Sequence, residues 1–386
     1  MTRPRIAVAT IDRRARVAVV AVFALNGFLA AMWVAHIPVI VTRTEVSADQ
    51  LGALLLLLGG SAFVGMQLCG PLIDRWGSRP TTVIAAGLLS VVIVGPVLAA
   101  DLWSLALALA AFGFANGALD VSMNAQAVAV ERRYRRPIMS SFHGFFSVGS
   151  LLGSGIVALT LWLEAGVIAT VAASGIVGLS IALVVSRDLL VSGVDEDAIR
   201  AVSPDARPRR WWHAVDRRRL IVLAAVAFAL MLAEGTAYDW SALHVVETFG
   251  TPESVGALTF GAFSAAMTLA RFGIDPVAAA VGPVVVVRVG AVIGLAGMTV
   301  AVGAPAAGWA IAGWTIFGIG LAGLIPQIFT AAGNLTAEAS GRAISVVVGC
   351  GYLGMLAGPA IVGFIGSRSS LGVGLVVAIA ALVFAA

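Results

Sequence analysis

Apolar runs of roughly 17–25 residues, parted by short polar breaks, follow one another along this whole chain. Twelve fall near residues 17–41, 51–70, 80–100, 102–130, 138–162 and 166–186, then 219–243, 253–274, 284–304, 307–332, 343–366 and 369–386. Each is long enough to cross a bilayer as a helix. The one long polar segment lies between the sixth and seventh runs. It contains DEDAIRAVSPDARPRRWWHAVDRRR, whose prolines and dense charge mark a linker. The pattern predicts an all-α membrane protein with twelve transmembrane helices in two six-helix halves, residues 1–186 and 219–386, joined by a cytoplasmic linker over 187–218. Within the linker, Trp211 and Trp212 beside arginines suit a helix lying on the membrane surface.

Composition agrees. Of 386 residues, 60% are hydrophobic and only 11% charged, where a soluble domain carries about 25% charge. The net charge of +4 gives no hint of nucleic acid, because the basic residues sit between spans and form no single face. With the N-terminus inside, 22 of the 24 basic residues, all arginine, fall at inside positions; only Arg43 and Arg368 lie outside. Both termini are therefore expected in the cytoplasm and the chain in the cytoplasmic membrane. Arg13, Arg14 and Arg16 precede an apolar run that continues to about Val41 without a cleavage site, so the first span is expected to be retained. The last span is short and stops at Ala386 without a polar tail, as in a chain cut short. Cys69 and Cys350 lie in apolar spans and imply no disulfide framework. No metal-ligand spacing and no cofactor motif is present, and a monomer is expected.

Polar residues inside the spans carry the functional reading, since an intramembrane charge is costly unless it faces protein or water. In span four, Asn116, Asp120 and Asn124 recur every four residues and share a helix face. Asp120 lies about 27 Å along that helix from Leu102, and roughly 16 Å from Glu131. Either it carries a coupling proton or binds a solute, or it is hydrogen-bonding glue between helices. Span five shows a small, polar stripe: Ser140, His143/Gly144, Ser147, Ser150/Leu151 and Ser154. His143 there relays protons, binds solute or packs. In span seven, Glu234, Tyr238 and Ser241 share a face, with Glu234 near two-thirds depth; Asp239 and Trp240 lie toward the outer surface, where Trp240 suits an aromatic belt. Asn26 and His36 in span one and Gln327 in span ten complete the candidate wall. Pro326 is placed to bend span ten.

Between spans two and three stands GPLIDRWGSRP, Gly70 to Pro80. It resembles the signature loop of the major facilitator superfamily, G-x-L-x-D-R-x-G-x-R. Asp74 there can accept from a neighbouring helix N-terminus, and Arg75 and Arg79 can tie it to acids such as Glu131, as parts of a gate. The corresponding place after span eight, RFGIDPVAAAVGP, keeps Arg271, Asp275 and Gly282 but lacks the other arginines, so the second lock reads as degenerate. DVSMNAQAVAVERRYRRPIMSSFHGFFSVGSLLG and EGTAYDWS resemble blocks of the MosC-like and YbjJ-like branch of that superfamily. The resemblance implies the major facilitator fold, with spans one, four, seven and ten around a central site. It also implies a poorly defined substrate, one relative being linked to rhizopine, an inositol-like amine.

The expectation is a secondary transporter working by alternating access, moving a small polar solute that is sugar-, inositol- or amine-like, coupled to protons. A cavity with more acid (Asp120, Glu234, Asp239) than base (His143, His36) favours a neutral or cationic solute. The alternatives are a proton-driven exporter of amphiphiles and a non-transporting sensor. Nothing resembles a P-loop, and no nucleophile–base set makes an enzyme.

Overall fold

The computed structural model describes residues 3–191, 215–336 and 338–386; the surface helix expected around Trp211 and Trp212 lies outside the described residues. Every described element is helical. In chain order they are α1 (Arg3–Thr44), α2 (Ala48–Trp76), α3 (Ser78–Leu98), α4 (Leu102–Tyr134), α5 (Met139–Trp162) and α6 (Val167–Val185). Then follow α7 (Arg217–Phe249), α8 (Glu253–Val281), α9 (Pro283–Val302), α10 (Ala307–Gly333), α11 (Ser340–Gly366) and α12 (Leu371–Ala385). Among the described residues, eleven are long and apolar enough to cross a membrane, and α12 is a shorter apolar helix.

Two helices are interrupted, α3 at Ile93 and α10 at Ala322 and Gly323. Each break lies three or four residues before a proline, Pro96 or Pro326. A proline has no N–H for the carbonyl one turn back, so the ladder opens there.

The chain forms two compact units. One comprises Met1–Arg135, Phe145–Asp216 and Gly333–Val346; the other comprises Arg136–Gly144, Arg217–Ala332 and Val347–Ala386. The start of α5 thus belongs with the second unit, and the start of α11 with the first.

In the first unit, α2 and α4 touch backbone to backbone. A Cβ on Gly113 would stand 2.2 Å from the Leu58 carbonyl oxygen, and one on Gly117 2.1 Å from that of Ala62. Only glycine fits, and such close approach is how helices associate where lipid offers no hydrophobic drive. The small stripe of α5 is used likewise: Ser150 Oγ donates to Gly27 O of α1 at 3.1 Å. Its serine serves helix packing rather than an open wall. In the second unit, Trp240 Nε1 donates to Pro359 O of α11 at 3.2 Å, so this tryptophan ties α7 to α11. Outward faces are bare hydrocarbon, with Trp103 81% and Leu151 74% exposed, as a bilayer-facing surface requires.

Candidate functional site

Within the first unit, the polar face of α4 forms as its four-residue spacing dictates. Asp120 is buried, Asn124 fully so. Asn124 Nδ2 donates to its own helix at Asp120 O, 2.8 Å away. Its amide orientation is thereby set, and Oδ1 is left buried without a hydrogen-bond partner among the described residues. Asn116 Oδ1 is in the same condition. From α1, Asn26 Nδ2 meets Met123 Sδ at 3.5 Å, which brings Asn26 to the Asp120–Asn124 level; its Oδ1 also lacks a partner. Buried amide oxygens of this kind cost free energy unless water or a solute meets them. Three such acceptors around a carboxylate fit a partner rich in N–H or O–H donors. His36 stands apart, about 15 Å further along α1 from Asn26. It is fully buried, and its Nδ1 lies 2.7 Å from Met32 O, so Nδ1 carries a hydrogen toward that carbonyl.

Within the second unit, Glu234 of α7 is buried and paired with Arg271 of α8, Nη2 to Oε1 at 3.2 Å. Arg271, grouped with the loop arginines in the sequence reading, lies ten residues (about 15 Å) inside the end of α8. The pair is neutral overall, so Glu234 adds no net negative charge and the expected excess of acid shrinks. The signal for this was present, since an arginine inside an apolar run is itself a functional flag. Tyr238, one turn beyond Glu234, packs between Phe260 and Phe263 with ring centroids at 5.7 and 5.9 Å. Asp239 is exposed and stands outside this group. His143 of α5 faces Phe329 of α10 at 6.0 Å. On α10, Gln327 Nε2 and Thr330 Oγ1, three residues apart on one face, are buried without hydrogen-bond partners among the described residues. Thr330 was missed from sequence because threonines in apolar helices usually bond their own backbone.

The loop residues explain two helix starts. The first N–H groups of a helix need acceptors from outside it. α11 follows Ala339 and α5 follows Ile138, neither of which has a side-chain acceptor. For α11 the cap comes from Asp74: Gly341 N donates to Oδ1 at 2.8 Å and Arg342 N to Oδ2 at 3.3 Å, with Arg342 Nη1 on Oδ2 at 3.0 Å. For α5 it comes from Asp275: Ser140 N donates to Oδ1 at 3.0 Å and Ser141 N to Oδ2 at 2.8 Å. The second loop, degenerate in its arginines, thus keeps the carboxylate that does the capping. The cation beside Asp74 is Arg342. Arg75 is exposed, and Arg79 lines an open cavity of about 440 Å³ with Trp76, Val83 and Ser186. Glu131 is buried near the end of α4.

Comparison with known proteins agrees with this architecture. A profile of the Major Facilitator Superfamily matches residues 17–359. An uncharacterized MFS-type transporter of Yersinia pestis is 33% identical over 352 residues, 91% of this chain and 88% of that protein. The membrane protein MosC of Rhizobium meliloti is 30% identical over 375 residues, 94% of this chain and 88% of its own length. The crystal structure of FucP, a superfamily transporter in its outward conformation, superposes with a TM-score of 0.75 at 12% identity, covering 95% of this chain and 96% of FucP. Twelve apolar helices among the described residues and a match over most of the length lead to one conclusion: this multi-pass membrane chain belongs to the major facilitator superfamily of transporters.

Proposed function

We propose that the chain is a secondary active transporter that moves a small, donor-rich polar solute, sugar-, inositol- or amine-like, by alternating access and coupled to protons. The observation that carries this reading is the set of buried, unpartnered amide oxygens on Asn26, Asn116 and Asn124 around Asp120. A dry packing role would leave these acceptors unpaid, whereas a solute bearing hydroxyl or ammonium groups satisfies them. In this reading Asp120 and the three asparagines hold the solute. Asp120 and Glu234 are the groups that take and release protons, and Gln327 and His143 are further polar contacts. The arginine distribution supports a cytoplasmic-membrane location with both termini inside, and halves 1–186 and 219–386 as the moving parts.

The test begins with thermal-stability screening of the purified chain against polyols, inositols and small amines. A hit then goes to proteoliposomes under an imposed pH gradient. Asp120→Asn is expected to abolish gradient-driven accumulation while the protein still folds, and Asn124→Leu to erase the stabilisation by solute. Unchanged accumulation in the Asp120→Asn protein would remove Asp120 from the mechanism.

A further inference from the structure

We propose that the cavity of about 440 Å³ beside the α2–α3 turn is a site for one phospholipid with an anionic headgroup, its phosphate held by Arg79. This goes beyond the transport reading and does not depend on it. The residues concerned all belong to the first unit. There α3 and α6 run in opposite directions and touch midway. A Cβ on Gly178 of α6 would stand 2.5 Å from Ser90 Oγ of α3, and one on Gly87 of α3 would stand 3.7 Å from Leu179 Cδ1 of α6. Towards the start of α3 and the end of α6 the cavity opens between them. Arg79, Pro80 and Val83 line it from α3, Ser186 and Val191 from the end of α6 and just beyond, and Trp76 from the end of α2.

The two walls are fixed to one buried side chain. Gln126 of α4 donates through Nε2 to Ser78 Oγ and to Leu190 O, each at 2.9 Å, and its Oε1 accepts from Leu190 N at 3.1 Å. Gln126 is fully buried. Ser78 immediately precedes Arg79, and Leu190 immediately precedes Val191. The cavity is therefore preorganised, and a ligand entering it loses less to the ordering of its walls.

The charge around it favours an anion. Arg79 makes no ion pair or side-chain hydrogen bond among the described residues. Arg75, next to Trp76, and Arg187, next to Ser186, are exposed and likewise without a carboxylate partner among the described residues. Against these three cations stands Asp188, since both oxygens of Asp74 are taken by the start of α11. A guanidinium matches a phosphate in shape as well as charge. The level in the membrane also fits a headgroup. Trp76 is exposed at the end of α2, where an indole suits the membrane–water interface. From the cavity towards mid-membrane, Ile84 and Val91 on α3 and Leu183 and Val184 on α6 present bare hydrocarbon for the acyl chains. Basic pockets between spans on the cytoplasmic side take anionic headgroups; the arginine distribution supports that side for this end.

The purified, delipidated full-length chain in a neutral detergent is titrated with phosphatidylglycerol, with phosphatidylcholine of the same acyl chains, and with inorganic phosphate. Bound lipid is counted by native mass spectrometry, and melting temperature is followed in parallel. Phosphatidylglycerol is expected to bind more tightly than phosphatidylcholine and to raise the melting temperature, and inorganic phosphate to leave it unchanged. Arg79→Gln should weaken phosphatidylglycerol roughly tenfold, as for loss of one hydrogen bond to a charged group. Val83→Trp, which fills the cavity and keeps the charge, should also weaken it, whereas Val91→Trp on the open hydrocarbon face should not. Arg75→Gln and Arg187→Gln, as surface charges, should each weaken it by about fivefold at most. Equal affinity for the two lipids would reduce the cavity to ordinary hydrocarbon contact, and equal losses in all three arginine variants to a diffuse basic surface. Either result overturns the proposal, as does stabilisation by inorganic phosphate alone, which would make it a free-anion site. Should Arg79→Gln not fold, the contrast between Val83→Trp and Val91→Trp decides.

Discussion

Asp74 and Asp275 perform one task in two surroundings. Each stands late in an apolar helix and caps the second and third amides of another helix, whose own preceding residue has no acceptor. Around Asp74 the cation is Arg342, on the capped helix itself, with its side chain 32% exposed. Around Asp275 the nearby cation is Arg271, on the capping helix, with its side chain 7% exposed and paired with Glu234. The helix-start positive end asks only for a carboxylate. The second loop, with Arg271 but none of the other arginines, therefore still supplies the cap. Both capping helices also end on a glycine in nearly the same backbone state, Gly77 at φ 87° and Gly282 at φ 86°. With ψ near 160°, this region is open essentially to glycine alone, so the turn is kept even where the charges differ.

The largest expected effect separates the two arginines. Arg271→Met leaves Glu234 buried without its cation and should lower unfolding stability by about 3–5 kcal/mol, whereas Arg342→Met removes a side chain already 32% exposed and leaves buried Asp74 with the Gly341 and Arg342 amides, so it should cost clearly less. Equal shifts in detergent melting temperature would erase the distinction drawn between the two pairs. Next come the caps. Asp74→Ala and Asp275→Ala should each cost about 1–2 kcal/mol, seen as local amide exchange at residues 341–342 and 140–141 respectively. If either substitution exposed both helix starts, the caps would not be independent.

The smallest effect concerns a third cap of a different kind. Asp101 precedes α4 and caps its own helix, accepting from Ser104 N at 2.8 Å and from the Ser104 hydroxyl at 3.0 Å. These hydrogen bonds hold its carboxyl below the usual aspartate range. A carboxyl depressed in the folded state stabilises above its unfolded titration range, and that contribution fades as pH falls through the folded value. The melting difference between wild type and Asp101→Ala should therefore be slight at neutral pH and vanish in strong acid. A difference that grew on acidification would reverse the assignment.

The helices were legible because bilayer-length apolar runs are a one-dimensional signal, and the prolines at 96 and 326 lie beside the breaks they cause. The α4 face was legible for the same reason, since Asn116, Asp120 and Asn124 belong to one helix. The role of Arg271 was not. Written along the chain it looks like one more arginine near a loop, and only the approach of α7 shows that it neutralises Glu234. The bond from Trp240 to the Pro359 carbonyl was hidden in the same way, because the two residues are 119 positions apart.

Sequence alone determined the class of this protein, its spans and the local faces on which polar residues recur, because these depend on hydrophobicity and helical period. Tertiary structure alone decided which carboxylate meets an arginine, which meets backbone amides, and which asparagine oxygens are buried without a hydrogen-bond partner among the described residues. Those outcomes turn on contacts of about 3 Å between residues far apart in the chain, and no spacing along a single helix encodes them.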